Sequence, residues 1–401
     1  MNKLIINSDL IYRINKNIEF ISKLLLKEHS CPDSLVSGKA GEVLFWSYYS
    51  VFKDDEIHLQ RVVKIITDIF NNIEKGNNSP TFAQGLAGIG WIVEHLFKNK
   101  LIKGDSNKII GTLDELLYPH MINFLNEKEY DYLHGALGIG LYYLERLSSE
   151  NSVKEKLSKL VDSIEEISVL DNKGIKWGKK MVDINQKEQT VYNFGLAHGI
   201  PSIIAILSRI YEANISTHKT EELVKGAINF IQNNQKETSE KYIFPSWLVQ
   251  DESAYISTGR LAWCYYDLGI SMSLWQAGDI FNNNNWKQYA IKILLHSTKI
   301  TNIEESRIQD IGLCHGAAGV AYMYGKMYRL TKIKEFQVSS NFWYEQCLKM
   351  FPFQKFSLND TNNQDLKIDF SFLTGISGTG LALISAISDI KTNWDRALLL
   401  S

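Results

Sequence analysis

A short glycine motif returns along the whole length of this chain and limits what it can fold into. It reads Gly38-Lys-Ala-Gly41, Gly85-Leu-Ala-Gly-Ile-Gly90, Gly135-Ala-Leu-Gly-Ile-Gly140, Gly195-Leu-Ala-His-Gly199, Gly316-Ala-Ala-Gly319 and Gly375-Ile-Ser-Gly-Thr-Gly380. Successive motif starts lie 47, 50, 60, 121 and 59 residues apart, and Trp263-Cys-Tyr-Tyr-Asp-Leu-Gly-Ile270 stands where the long gap should be divided. Seven units of about one helical hairpin each follow, the mark of a repeat architecture. Between motifs the apolar residues recur at steps of three and four, as in Leu59, Val62, Val63, Ile66, Ile69, Phe70 and Ile73, which describes amphipathic helices with a solvent side. Segments that begin inside the motifs, such as Gly88-Ile-Gly-Trp-Ile-Val-Glu-His-Leu-Phe97, are short and apolar on most sides, as buried helices are.

The alternation predicts an all-α fold, an α/α toroid with an inner ring of about seven short helices wrapped by about seven outer ones. Glycine at each inner helix start admits close backbone approach and positive φ angles, at about 1 kcal/mol wherever it falls inside the helix. Inner helices that converge on one axis bring every motif to one rim, so residues far apart in sequence meet there. Residues 1–401 are read as a single domain. Segments 172–192 and 241–249 break the helical pattern and predict small extended insertions beside the rim.

A formal net charge of −2 and a pI near 6.5 supply no positive field for a phosphate backbone, so nucleic acid is not an expected partner. Four scattered cysteines make no disulfide framework and suit a reducing compartment. No secretory h-region opens the chain and no apolar run approaches the ~20 residues of a membrane span. The expectation is a cytoplasmic protein without a membrane span. Gly85-x-x-Gly88-x-Gly90 has the wrong order for a dinucleotide loop, and its repetition speaks for architecture.

Cys264 and Cys314 both sit at predicted inner-helix starts, fifty residues apart, and His315 follows the second. Two thiolates and an imidazole form a zinc ligand set with one position left open, which fits a single catalytic Zn2+. Sulfur-rich ligation favours a sulfur substrate, and a thiol entering the open position is deprotonated. Asp131, His198 and Arg260 occupy corresponding places in other units. His198 suits a general base or acid, Asp131 can orient it, and Arg260 can stabilise a developing oxyanion such as an enolate. Cys31 and Cys347 read as small buried apolar residues, His134 as a structural neighbour, and His29, His58, His95, His120, His218 and His296 carry no signal. Glycoside chemistry needs a carboxylate pair, whereas only Asp131 stands at a rim motif.

With these residues in place the chain resembles the lanthipeptide synthetase C-like (LanC) cyclases. The glycine motifs of every unit, Asp131, Gly195-Leu-Ala-His-Gly199, Arg260 with Trp263-Cys-Tyr265, and Cys314-His315-Gly316 carry the resemblance over nearly the whole length. It implies a toroid of seven inner and seven outer helices with zinc on Cys264, Cys314 and His315, an acid/base pair in His198 and Asp131, and Arg260 and Tyr265 close to the reaction. The implied activity is Michael-type addition of a peptide cysteine thiolate to dehydroalanine or dehydrobutyrine, giving lanthionine or methyllanthionine. Implied partners are a dehydrated precursor peptide with its leader, a lanthipeptide dehydratase and an exporter. One departure stands out: the family usually has Trp-Cys-Tyr-Gly, and Tyr266 replaces that glycine, which is expected to narrow the cleft or change which ring closes. Two other readings stay open at this point, addition of an external thiol such as glutathione to dehydrated peptides, and a non-catalytic binding toroid whose zinc is structural.

Overall fold

The structure is a computed structural model that describes the chain apart from residues 1–3, 5–6, 75, 77–78, 183–186, 238–239, 251–254, 257–258 and 352–367, and the side chains of 255 and 256. Fourteen helices longer than a single turn alternate between two layers among the described residues. The outer layer holds α1 (Ser8–Leu25), α3 (Ile57–Ile73), α5 (Leu113–Asn126), α7 (Val153–Glu166), α9 (Thr217–Asn233), α11 (Asn284–Ser297) and α13 (Lys334–Met350). The inner layer holds α2 (Lys39–Lys53), α4 (Leu86–Lys98), α6 (Ala136–Arg146), α8 (Ile200–Glu212), α10 (Tyr266–Ile280), α12 (Ala317–Thr331) and α14 (Ile376–Ile387). Inner helices pack each against the next, and α14 packs back on α2, so the ring closes. The seven inner and seven outer helices of the sequence reading are those observed, with α10 starting where the divided gap placed it.

Burial follows the two sequence patterns. Every residue of α6 is buried, because neighbours cover all its sides, whereas α3 buries only Val62, Ile65 and Ile69 and leaves the rest of its surface to water. Each fully buried Leu or Ile contributes roughly 1.5–3 kcal/mol, so the inner layer is the main apolar store of the fold.

The glycines serve close approach and not positive φ. Gly85, the N-cap of α4, is extended at φ −143°, and the positive-φ glycines, Gly104, Gly174 and Gly259, all lie outside the motifs. What the motifs share is a crossing loop: the first helical N–H donates to a carbonyl seven residues upstream, as in Leu86 to Ser79 O at 2.8 Å, Lys39 to Pro32 O at 2.8 Å and Ala136 to Glu129 O at 3.0 Å. That oxygen lies where a side chain would stand, since a Cβ on Gly85 would come within 1.7 Å of Ser79 O and one on Gly38 within 1.9 Å of Pro32 O.

Successive loops are then stitched by backbone hydrogen bonds around the rim. Val36 donates to Ala83 O at 3.1 Å, Ala83 to Leu133 O at 2.9 Å, Ala197 to Cys264 O at 3.2 Å, Trp263 to Cys314 O at 2.8 Å, Cys314 to Leu373 O at 3.0 Å, and Leu373 returns to Val36 O at 3.1 Å. The middle of the ring is filled from the other side by residues 393–401. There Trp263 Nε1 donates to Leu398 O at 2.7 Å, Tyr132 to Ala397 O, and Tyr322 to Asp395 Oδ2 at 2.6 Å.

Strands stand beside α9, on which β2 packs. A hairpin pairs β1 (Val169–Asp171) with β2 (Gly174–Lys176), and an antiparallel sheet runs in the order β3 (Gly178–Val182), β4 (Glu188–Asn193), β5 (Trp247–Val249), β6 (Tyr255–Ile256). Its register sets Gly178 opposite Tyr192 and Val191 opposite Val249. Residues 183–186 of the segment 172–192 lie outside the described residues.

Two outcomes are expected. Gly85→Ala, which drives a methyl into a carbonyl oxygen, should cost about 1–3 kcal/mol, whereas Gly76→Ala, with no atom within 4 Å of the new carbon, should stay within about 0.5 kcal/mol; denaturant midpoints compare them. Asp267 on α10 is buried and accepts from the N–H groups of Ile243 and Phe244, both at 3.2 Å. Burial outweighs those bonds and pushes its pKa up to about 7. The folded protein therefore keeps a proton that the unfolded chain releases near pH 4, so this contribution is complete below about pH 4 and is lost as pH rises through about 7. Thermal melts across pH 4 to 8 should show a fall in the wild type that Asp267→Asn flattens.

Candidate active site

The stitched rim has one place where the backbone pattern changes, and the polar residues gather there. In the third unit the N–H of Leu133 donates at 2.7 Å to Oδ1 of Asp131 in its own loop, and the N–H of His134 donates to the same oxygen at 2.8 Å. Oδ2 of Asp131 meets Nδ1 of His198 at 2.7 Å. A side-chain bond thus joins the third unit to the fourth. Burial opposes ionisation of Asp131, but the His198 hydrogen bond and the two N–H groups outweigh it and hold the carboxyl below its ordinary range. With Nδ1 committed to Asp131, Nε2 is the His198 nitrogen left for chemistry, on a side chain 31% exposed.

The pairing of Trp263 with Cys314 O brings the fifth and sixth units into register and sets the thiols of Cys264 and Cys314 near enough for each to shift the other's ionisation. They titrate as a unit. The neighbouring Cys314 thiol, helped against burial by the positive charges of His315 and Arg260, lets Cys264 lose its proton more readily than an ordinary thiol, and Cys314 holds the remaining one more tightly. His315 Nδ1 lies 2.6 Å from Asp310 Oδ2, and that contact raises the imidazole pKa. Arg260 is half-buried, and its charge acts on Cys264, Cys314, Asp310 and His315 together.

Tyr265 bridges the two groups. Its ring is 6.3 Å from that of His198, and its hydroxyl is 3.5 Å from Asn193 Nδ2 at the end of β4. Burial, which the Asn193 contact opposes, pushes its pKa up to about 12. Tyr266, the departure in the motif, has φ +67°, a left-handed conformation that glycine adopts without strain and a bulky residue adopts at a cost of roughly 1–3 kcal/mol. Its ring is buried, 5.8 Å from that of Tyr242, with the hydroxyl 3.4 Å from Ser246 Oγ. The side chain is therefore part of the packing under the rim, where a narrowed cleft had been expected.

Sequence reasoning missed a second cluster. His29, Cys31 and Glu42 form the group of three metal-donor side chains, among the described residues, whose ligand atoms all lie within 4.8 Å of one another; Cys264, Cys314 and His315 are not drawn together to that degree. Cys31 is half-buried beside an acid and an imidazole, whereas Cys347 is fully buried, and burial pushes its pKa up to about 12. The His29-x-Cys31 spacing was the available signal. His134 stacks parallel to His198 at 6.1 Å between ring centres.

The described residues include no helix long and apolar enough to cross a membrane. The sequence model of the family described as lanthionine synthetase C-like protein matches residues 29–399. The nisin biosynthesis protein NisC of Lactococcus lactis subsp. lactis is 24% identical over 400 residues, covering 92% of this chain and 88% of that protein. A solved structure titled nisin cyclase superposes with a TM-score of 0.76 at 20% identity and covers 98% of both chains, a likeness of fold. With a family match from before the first inner helix to the end of the last, and the same helical toroid in space, this chain belongs to the lanthionine synthetase C-like family.

Proposed function

We propose that this chain is a zinc-dependent lanthipeptide cyclase that closes lanthionine or methyllanthionine rings in a dehydrated precursor peptide. The observation that carries the reading is the pair of backbone bonds, Ala197 to Cys264 O and Trp263 to Cys314 O, that brings Cys264 and Cys314, fifty residues apart in sequence, to the stretch of rim that also holds the His198–Asp131 pair. The donor set suits zinc: two sulfurs on neighbouring loops of the rim and an adjacent imidazole whose Nδ1 is held by a carboxylate, the outer partner that metal-binding histidines commonly have. Cys264, Cys314 and His315 would hold the ion. When bound, zinc supplies the Lewis acidity that turns a substrate thiol into a thiolate at neutral pH.

The remaining steps belong to side chains of this chain. His198, oriented through Nδ1 by Asp131, takes the thiol proton on Nε2. Sulfur bonds to the β-carbon of dehydroalanine or dehydrobutyrine, the π pair moves to the α-carbon, and its negative charge spreads onto the adjacent carbonyl oxygen. Arg260 provides the positive field that stabilises this enolate. The proton on His198 then returns to the α-carbon, so every atom is retained. Tyr265, packed between His198 and the sheet, orients the peptide. We read residues 1–401 as one domain acting in the cytoplasm, where a lanthipeptide dehydratase supplies the substrate, the leader guides it and an exporter removes the product; all four cysteines are free thiols.

The test is product mass after incubation with a dehydrated Ser/Thr/Cys-containing peptide. Cyclisation leaves the mass unchanged and removes free thiol, whereas addition of glutathione raises the mass and would point to the external-thiol reading. His198→Asn should lower the cyclisation rate about 10²–10⁴-fold with the zinc content of the protein unchanged. Full activity in that variant, or in Cys264→Ala, would contradict the proposal.

A further inference from the structure

We infer that His29, Cys31 and Glu42 form a second divalent-metal site, of the zinc class, distinct from the rim site and placed where the ring closes. His29 Nε2 lies 2.5 Å from Glu42 Oε1, and Cys31 Sγ lies 3.8 Å from the same oxygen. A tetrahedral zinc with bonds of about 2.0–2.3 Å sets its ligand atoms about 3.3–3.7 Å apart, so the sulfur distance already suits a shared ion and the nitrogen must retreat by under ~1 Å. One thiol, one imidazole and one carboxylate are donors for zinc and its neighbours in the series, not for magnesium or calcium.

Three features outside the cluster aim these donors at one point. His29 Nδ1 lies 2.9 Å from the carbonyl oxygen of Lys27; that oxygen can only accept, so Nδ1 carries the hydrogen and Nε2 is left as the ligand nitrogen. The His29 ring stacks on Phe370 at 3.9 Å and 7°, which fixes its plane. Glu42, in the first turn of α2, is 2% exposed, and its carboxylate is turned to the other two donors, His29 and Cys31. A cleft of about 840 Å³, lined by the three donors and by Arg61 and Lys64, gives water and the ion a way in.

The position explains what such an ion does. His29 and Cys31 lie on the loop between α1 and α2, Glu42 on α2, and Phe370 just ahead of α14, beside the bond from Leu373 to Val36 that joins the last unit to the first. A metal there clasps the closure of the ring. Binding releases two protons, that of the Cys31 thiol and the one His29 Nε2 holds against Glu42, and leaves the fourth position to water.

The experiment is a cobalt titration of the full chain, read by the thiolate-to-cobalt charge-transfer band and tetrahedral visible bands, in four proteins: wild type, Cys31→Ser, Glu42→Gln, and the Cys264→Ala/Cys314→Ala double variant. The inference rests on residues separate from the proposed cyclase site, and the arms separate the two. With both sites present the wild type takes two equivalents, Cys31→Ser takes one, and the double variant takes one whose sulfur band, from one thiolate where the wild type has three, has about one third of the wild-type intensity. If only the second site exists, the wild type takes one and Cys31→Ser none. Two outcomes overturn the inference: a double variant that takes none, or Cys31→Ser and Glu42→Gln proteins that match the wild type in stoichiometry and spectrum. In those cases His29 and Glu42 are a plain ion pair. If the double variant fails to fold by circular dichroism, the comparison of Cys31→Ser with wild type decides alone.

Discussion

The rest of the structure depends on the circle of backbone hydrogen bonds that joins the loops ahead of the inner helices. Seven hairpins of modest sequence likeness come to one rim because each loop but the third offers an N–H and a carbonyl at the same level, and Leu373 bonding to Val36 joins the last unit to the first. The motif glycines let each loop cross its own helix start close enough for those groups to line up. The interior is then closed from the other side by residues 393–401, whose carbonyls take hydrogen bonds from Tyr132 and Trp263.

Chemistry enters where this circle changes. Leu133 turns its N–H to the Asp131 carboxylate, and the freed connection is made by His198. The Asp131–His198 pair is thus a structural link, and a rigid one: both Asp131 oxygens are engaged, so the imidazole has a fixed tautomer and direction. Across the rim, Trp263 donating to Cys314 O sets the two thiols side by side. Backbone register, more than side-chain contact, brings both halves of the candidate site into being.

Much of this was legible in the sequence, for a physical reason. Close approach of loop and helix permits only glycine, so the architecture left a mark at every unit, and the helix faces showed which layer each segment joins. Asp131, His198, Cys264, Cys314 and His315 stood within or a few residues ahead of those marks. Other features were not legible. The glycines serve steric clearance with extended φ, and a sequence cannot separate that from a need for positive φ. Tyr266 is a left-handed residue whose strain is offset by a buried ring, a matter of tertiary packing. Glu42 is eleven residues from Cys31 and meets it only because α2 turns its first carboxylate toward the preceding loop, so the cluster with His29 emerged only in the fold.

The central claim is that the register of the rim makes one thiolate-rich metal centre opposite an oriented imidazole. Anomalous diffraction at the zinc edge from crystals grown with zinc tests it most directly. The account predicts an anomalous peak bonded to Cys264 Sγ, Cys314 Sγ and His315, with the His198–Asp131 bond intact on the same rim. A fully loaded protein with no peak between Cys264 and Cys314, or with a fourth protein ligand closing that site, would contradict it.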